Sequence, residues 1–264
     1  MPEGHTVHRH AIEHAQRFAG RHVAVTSPQG RFVEGAALLN GLRLEGSEAY
    51  GKHLSLIFAG ERLLHVHLGL IGKWQFGSTP APDPVGAVRV RLVADESYAD
   101  LRGAIEVDVW TPDDWSRLLA RLGPDPLRRD AKEGLAWRRI SRSRVAIGIL
   151  LMDQTVLAGV GNVYRAEILY RARIDPHRAG RDVSREEWLA LWRDLVTLMK
   201  AGLRSGRIVT TRPADRRRSS PVRAEDAHYV YRRTGLACRV CGTPVATELM
   251  AGRNLFWCPH CQSR

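Results

Sequence analysis

The sequence predicts an α+β protein: an N-terminal two-layer antiparallel β-sandwich with flanking helices, then a helical part that ends in a small cysteine-bearing hairpin. Three observations carry this reading. Short alternating apolar runs fill the first half, helical periodicity fills the second, and the only four cysteines sit in two Cys-x-x-Cys pairs near the end. From Thr6 to Phe18, Val7, Ala11, Ala15 and Phe18 share one helical face, and Gly20 provides a left-handed stop. The runs His53 to Phe58, Leu63 to Leu68 and Val88 to Val93 alternate as half-buried strands do, between Gly and Pro clusters, with no helix-length segment interrupting them. The sandwich ends near Trp110, and Pro112 to Arg121 forms one closing helix.

Leu122-Gly123-Pro124-Asp125-Pro126-Leu127 resists any regular element, so a domain boundary is placed there. The first domain is then 1–121 and a linker runs 122–140. A helical domain occupies 141–227: an apolar stretch from Val145 to Met152, a helix from Asn162 to Ala172 with Asn162 able to cap it, and a capping box at Ser184-x-x-Glu187. The helix after that box puts Trp188, Leu191, Leu195, Leu198 and Met199 at core spacing and stops before Gly206. From Arg207 to Asp226 the composition turns polar, with Arg216-Arg217-Arg218-Ser219-Ser220-Pro221 at its centre, and reads as a mobile loop. The last domain, 228–264, carries the cysteines.

Cys238, Cys241, Cys258 and Cys261 offer two knuckles, each placing two thiolates on a tight turn. Four sulfur donors with none to spare suit a closed tetrahedral site, so one structural Zn²⁺ is expected. The rival is a set of buried or disulfide-bonded cysteines, which the expected absence of a signal peptide and a reducing compartment disfavour. Asn254-Leu255-Phe256-Trp257, introduced by Arg253, reads as the second strand of a hairpin with one basic side chain at its tip. So small a hairpin is not stable alone, and the metal supplies its fold.

The 264 residues carry 40 Lys and Arg against 28 Asp and Glu, a formal charge of +12, which favours a polyanionic partner through counterion release. Nucleic acid is the first candidate. An Arg-rich proteome with a solvated basic surface is the alternative. No apolar run is long enough for a membrane span, so a soluble chain with no membrane partner is expected.

Two places beside the knuckles can do chemistry. Removal of Met1 from Met1-Pro2-Glu3-Gly4 exposes a secondary amine, which titrates near pH 8 and is partly nucleophilic at neutral pH. Condensed with a sugar aldehyde carbon, it forms an iminium with no proton to lose, and the neighbouring carbon becomes acidic. Glu3 follows, where a carboxyl in a partly dry cleft protonates a leaving group. On these residues alone, an ordinary start and a solvated carboxylate explain the pattern better. The second place is Leu157 to Glu167, a turn bearing Gly159 and Gly161 that runs into a helix N-terminus, where backbone amides, the helix dipole and Asn162 can meet a phosphate. A plain tight turn explains it equally well. Lys52 lies on a turn between two strands, within reach of a phosphate or merely solvated. His65 and His67 share a strand face and are read as packing or phosphate contacts, because a third metal ligand is lacking.

Taken in order, Pro2-Glu3-Gly4, Gly51-Lys52, His67-Leu68-Gly69-Leu70, Leu122-Gly123-Pro124, Met152-Asp153-Gln154, Gly159-Val160-Gly161-Asn162-Val163-Tyr164, Arg253 and Cys261-Gln262 resemble the Fpg/Nei family of bifunctional DNA glycosylases, in an actinobacterial-type endonuclease VIII-like branch. The resemblance spans essentially the whole chain. It implies that Pro2 is the Schiff-base nucleophile and Glu3 the acid/base. Lys52, Asn162 and Arg253 would grip phosphates, with Lys52 and Arg253 counted in the catalytic set. Gly161, His67 and Leu70 would contact DNA, and Glu167 would match a carboxylate near the lesion pocket. The helices flanking Gly159 to Asn162 become a helix-two-turn-helix element and 228–264 a zinc-finger hairpin.

The implied function is base excision repair, with base removal followed by β,δ-elimination, by a monomer in the bacterial cytoplasm at the nucleoid. Three departures from the family pattern bear on substrate. The second family glutamate is replaced by His5 and Thr6. The loop that carries an Arg-x-Phe wedge in the formamidopyrimidine branch is only Asp100-Leu101-Arg102-Gly103, which leaves Leu70 and its neighbours to fill the hole. No purine-capping loop is recognisable in 207–226. Oxidised pyrimidines and abasic sites, in duplex, bubble or single-stranded DNA, are therefore the expected substrates. A non-catalytic zinc-containing DNA-binding protein is the main alternative, and an RNA-binding zinc ribbon a lesser one.

Overall fold

In the computed structural model, the first helix, α1 (Gly4–Phe18), begins directly after Glu3, whose extended backbone serves as the N-cap. The description covers residues 2–216 and 222–263. The buried face of α1 is Val7, Ala11, His14 and Phe18, so a histidine takes the place expected of Ala15. The imidazole fits because its Nδ1–H donates to the His10 carbonyl at 2.7 Å and its ring meets Trp74 edge-on at 4.4 Å. Gly20, at φ +83°, then lets the chain turn back.

The strands are β1 (Ala24–Thr26), β2 (Leu44–Tyr50), β3 (His53–Phe58), β4 (Arg62–His67), β5 (Lys73–Ser78), β6 (Val88–Ala94), β7 (Ser97–Arg102) and β8 (Glu106–Trp110). They form two four-stranded antiparallel sheets, ordered β1-β6-β7-β5 and β2-β3-β4-β8. Period-two alternation decides what each face carries. Leu54, Leu56, Leu64, Val66 and Val107 of one sheet share a core with Val90, Leu92, Ala99 and Leu101 of the other. On the opposite face of the second sheet, His53 pairs with His67 and His67 with Glu106, while Ser55 pairs with His65 and His65 with Asp108. A short helix, α2 (Val33–Leu39), lies between β1 and β2, where the sequence suggested strands alone. Its seven residues are too few to display a helical period. The closing helix α3 (Pro112–Arg121) starts where Asp114 accepts from the Thr111 amide and hydroxyl.

Residues 1–121 make one compact unit and 122–264 another. The segment 122–140, expected as a linker, is part of the second unit. Ala158 donates to the Pro124 carbonyl, Asp125 is buried, and α4 (Glu133–Ile140) sends Ala136 and Ile140 into the core. The proline-rich composition broke the regular structure without freeing the chain. The helix expected over Val145 to Met152 shrinks to α5 (Ile147–Leu150), because Ile147 and Gly148 donate to the Arg178 and Pro176 carbonyls instead.

Next come α6 (Asn162–Ala172) and α7 (Arg185–Ser205). Both halves of the capping box form at the start of α7: Glu187 N–H to Ser184 Oγ at 3.1 Å, and Ser184 N–H to Glu187 Oε2 at 2.7 Å. Trp188, Leu191, Leu195 and Met199 then pack with Tyr164, Ile168 and Leu169 of α6.

The stretch read as a mobile loop is anchored at both described flanks. Thr210 and Thr211 are buried and bonded to the Ala227 and Asp226 carbonyls. Its Arg217 to Pro221 portion lies outside the described residues. The last element is the hairpin β9 (Ala246–Met250) and β10 (Arg253–Trp257), joined through Ala251 and Gly252, both at positive φ as a tight two-residue turn demands.

Candidate functional site

Glu3 is fully buried, and its carbonyl accepts from Thr6 and Val7, so the first turn of α1 fixes its backbone. Pro2 beside it is half-buried. His5, in the same turn, is buried, and burial pulls its imidazole down to about 4, aided by His10 and His8. Lys52 is half-buried on the two-residue turn joining β2 to β3. Gly51 before it sits at φ +59°, as a type II′ turn requires of its first central residue, so the glycine aims the lysine.

Behind Lys52 stands a stack of imidazoles. His53 lies 4.7 Å from His67 ring to ring, and its Nδ1 is 3.0 Å from His65 Nε2. His65 in turn stacks on Trp110 at 3.6 Å. Burial, with His67, Lys52 and Arg121, lowers His53 to about 3, and burial with the other two imidazoles does the same to His65. Both are thus neutral packing groups. His67 is half-exposed and lowered by burial and by Lys52.

Leu70 is 52% exposed and Ile71 80% exposed on the β4–β5 turn; Ile105, on the β7–β8 turn, is 70% exposed. The two turns clasp each other. A Cβ on Gly69 would lie 3.0 Å from Ile105, and one on Gly103 would lie 3.3 Å from Ile71, both glycines being at positive φ. Arg102, in the segment that replaces an Arg-x-Phe loop, is tied to Asp100, Gln75 and the Val85 carbonyl. Asp100 itself is buried against Arg91 by two hydrogen bonds of 2.7 and 2.9 Å. These are strand residues held in place, and the aliphatic tip projects beyond them.

In the second unit, Gly159 at φ +88° and Gly161 as N-cap carry the chain into α6. The carboxamide of Gln154 staples this turn, donating to the Met152 and Val160 carbonyls and accepting from Gly159 N–H at 2.9 Å. Asn162 does not cap the helix. It is the first helical residue, and its Nδ2 donates to the Asn254 carbonyl of β10 at 2.9 Å. Arg253, immediately before Asn254, is exposed at the hairpin tip.

Glu167 departs from expectation. It is fully buried and accepts from the backbone amides of Tyr229, Val230 and Tyr231 at 2.7 to 2.8 Å and from the Thr210 hydroxyl. A carboxylate so engaged braces the segment leading into the hairpin and has no face left for DNA. Gln262 is a further brace: it accepts from Cys258 N–H and donates to the Ile174 carbonyl.

The ligand atoms of Cys238, Cys241, Cys258 and Cys261 all lie within 4.8 Å of one another, the one such group of three or more potential metal ligands among the described residues. The Cys238–Cys261 and Cys241–Cys258 sulfur separations are 3.8 and 3.5 Å. Zn–S bonds of about 2.3 Å in a tetrahedron put sulfurs about 3.8 Å apart, so the set fits one structural Zn²⁺. Among the described residues no further His, Asp or Glu joins the four thiolates. The hairpin core around it includes Val245, Phe256 and, from α6, Ala166 and Tyr170, whose hydroxyl lies 3.1 Å from Cys238 Sγ.

A four-thiolate hairpin packed on a helix that starts at a glycine turn, in a chain of charge +12, defines a zinc-braced DNA-binding protein. Family models agree segment by segment. Residues 1–107 match the formamidopyrimidine-DNA glycosylase N-terminal domain, 122–213 its H2TH domain, and 235–264 the zinc finger found in FPG and IleRS. The proteins called Endonuclease 8 1 of Mycobacterium tuberculosis and Mycobacterium bovis are 51% identical over 268 residues, covering all of both chains. The formamidopyrimidine-DNA glycosylase of Thermus thermophilus is 32% identical over 230 residues, 86% of this chain and 85% of that one. In fold, the Lactococcus lactis Fpg complexed with abasic-site DNA superposes with a TM-score of 0.83 at 22% identity, over 99% of this chain and 100% of that one. The chain belongs to the Fpg/Nei family of DNA glycosylases and AP lyases.

Proposed function

We propose that this protein is a base excision repair enzyme that removes oxidised bases, mainly pyrimidines, through a Schiff base on Pro2 and then cleaves the strand by β,δ-elimination. The supporting observation is Glu3, a carboxylate with no solvent exposure directly after Pro2. Acidic side chains are almost never fully buried unless a structure holds them there. The amine of Pro2 attacks C1′ as the N-glycosidic bond breaks, and the departing base takes a proton, the role assigned to Glu3. With the amine proton lost and the sugar ring opened at its C1′–O4′ bond, O4′ leaving as the hydroxyl, an iminium forms and acidifies the C2′ hydrogen. Its loss expels the 3′ phosphate, and a second elimination expels the 5′ phosphate.

Lys52 serves the first unit and Asn162 and Arg253 the second as phosphate contacts, with the amide-lined turn at Gly161 beside Asn162. His67 supports the Lys52 turn. Leu70, Ile71 and Ile105 fill the space left by the extruded nucleotide. They offer apolar surface and no hydrogen bond, which suits lesions already weakly paired, in duplex, bubble or single-stranded DNA. The enzyme acts as a monomer at the bacterial nucleoid.

Borohydride trapping on abasic-site DNA tests the reading. The processed protein is expected to cross-link, whereas an uncleaved N-terminal extension abolishes trapping and Glu3→Gln abolishes base excision, with DNA binding retained in both. Equal trapping with and without the extension removes Pro2 from the mechanism. Binding with no trapping by any form would leave a non-catalytic zinc-containing DNA-binding protein.

A further inference from the structure

Arg165, on α6, has no solvent exposure and is among the largest fully buried side chains in the molecule. A guanidinium is rarely buried unless its donors are used. Nη2 donates to Asn162 Oδ1 one turn back and also to the Asn254 carbonyl at 3.1 Å, and Nη1 reaches the Gly148 carbonyl at 3.5 Å. The Asn254 carbonyl therefore receives two donors, Asn162 Nδ2 and Arg165 Nη2.

This arrangement removes an ambiguity that a carboxamide ordinarily has. A guanidinium only donates, so it selects the oxygen of Asn162 as its neighbour and excludes the flipped amide. One Nδ2 hydrogen is then spent on Asn254, which leaves the second as the one a phosphate could take. Asn254 is also the residue after Arg253 on β10, so the same cation pins the strand from which Arg253 projects.

We propose that Arg165 is a positioning residue for DNA: it orients the Asn162 amide with one N–H presented to a phosphate and fixes the hairpin strand, setting Asn162 and Arg253 in register. The inference rests on the reading of Asn162 and Arg253 as phosphate contacts. Arg165 itself touches no DNA. Lysine replaces it only in part, since an ammonium lacks the second nitrogen that reaches the Gly148 carbonyl and the planar shape that fixes the direction of both bonds.

The test uses full-length, zinc-loaded protein and a duplex containing a tetrahydrofuran abasic analogue. Arg165→Met is expected to weaken binding to this duplex at least tenfold, and on a natural abasic site the loss should fall in KM rather than kcat, with Arg165→Lys recovering only part of it. In an Asn162→Ala/Arg253→Ala background, adding Arg165→Met should change affinity less than twofold. A merely structural arginine predicts the full loss again in that background, and this result, or unchanged binding by Arg165→Met alone, overturns the proposal. Should Arg165→Met fail to hold zinc or to melt cooperatively, the unsubstituted protein decides. One Asn162 side-chain amide proton should exchange slowly in the free protein and the second become protected only with DNA; two fast-exchanging protons refute the lock. If Asn162→Ala and Arg253→Ala each leave affinity intact, the phosphate-contact reading fails. If those two weaken binding while Arg165→Met does not, the positioning role alone fails.

Discussion

Glu167 shows how a residue can match a motif and yet do work that the motif does not describe. Its carboxylate gathers three consecutive amides and a hydroxyl; in its absence the amides would lose their acceptors, whereas the hydroxyl of Thr210 also reaches the Ala227 carbonyl. Glu167→Ala is expected to cost about 3 kcal/mol or more, read as a lower denaturation midpoint, and a loss below about 1 kcal/mol would contradict the bracing role. The four thiolates were legible in the sequence because a short, fixed spacing dictates their geometry. Glu167, Arg165 and Gln154 were not. Their partners lie in segments remote in sequence or in backbone carbonyls, and no local pattern encodes a backbone partner. His14 hid for a different reason: its place on the apolar face depends on a carbonyl one turn back and on Trp74, which arrives from another element.

At the scale of elements, α1, α6, α7 and the strands β3, β4, β6 and β10 follow from periodicity and capping, and the sequence located them to within a few residues. Elements whose backbone bonds are borrowed from distant segments did not announce themselves, as with α5, whose first amides donate to the Arg178 and Pro176 carbonyls. The hairpin β9–β10 is the element that most depends on something outside its own chain. Cys258, with no exposure, sits at the end of β10. Cys258→Ser is expected to lose the zinc and to weaken DNA binding by about tenfold or more, since the metal supplies the hairpin's folding free energy. Metal analysis and titration with abasic-site DNA check this, and the far-ultraviolet signal of the sandwich should persist. Full affinity at zero zinc would show that the hairpin does not need its ion.

Across the whole molecule, the histidines of the first unit set its response to acid. Burial lowers His5 and His10 to about 4 and His14, His53 and His65 to about 3. The unfolded chain takes up these protons near pH 6.5 and the folded chain does not. Stability is therefore complete above about pH 6.5 and declines as pH falls towards 3. Each fully buried imidazole contributes at most about 1.4 kcal/mol per pH unit to that slope. The melting temperature should drop steadily from pH 6.5 to 4.5, and His14→Gln, which cannot titrate, should reduce the slope by about one proton; an identical slope would show that His14 charges freely in the fold. The overall plan of sandwich, helices and hairpin was open to sequence reasoning, because each part has its own period or spacing. How α6 is shared was not. One of its sides belongs to the helical core and the other to the core beneath the thiolates, where Tyr170 leans on Cys238. The zinc hairpin is accordingly no exchangeable cassette. Transplanted from a distant relative, it would arrive without the tyrosine and the glutamate it grew up against, and ancestry must pass the two on together.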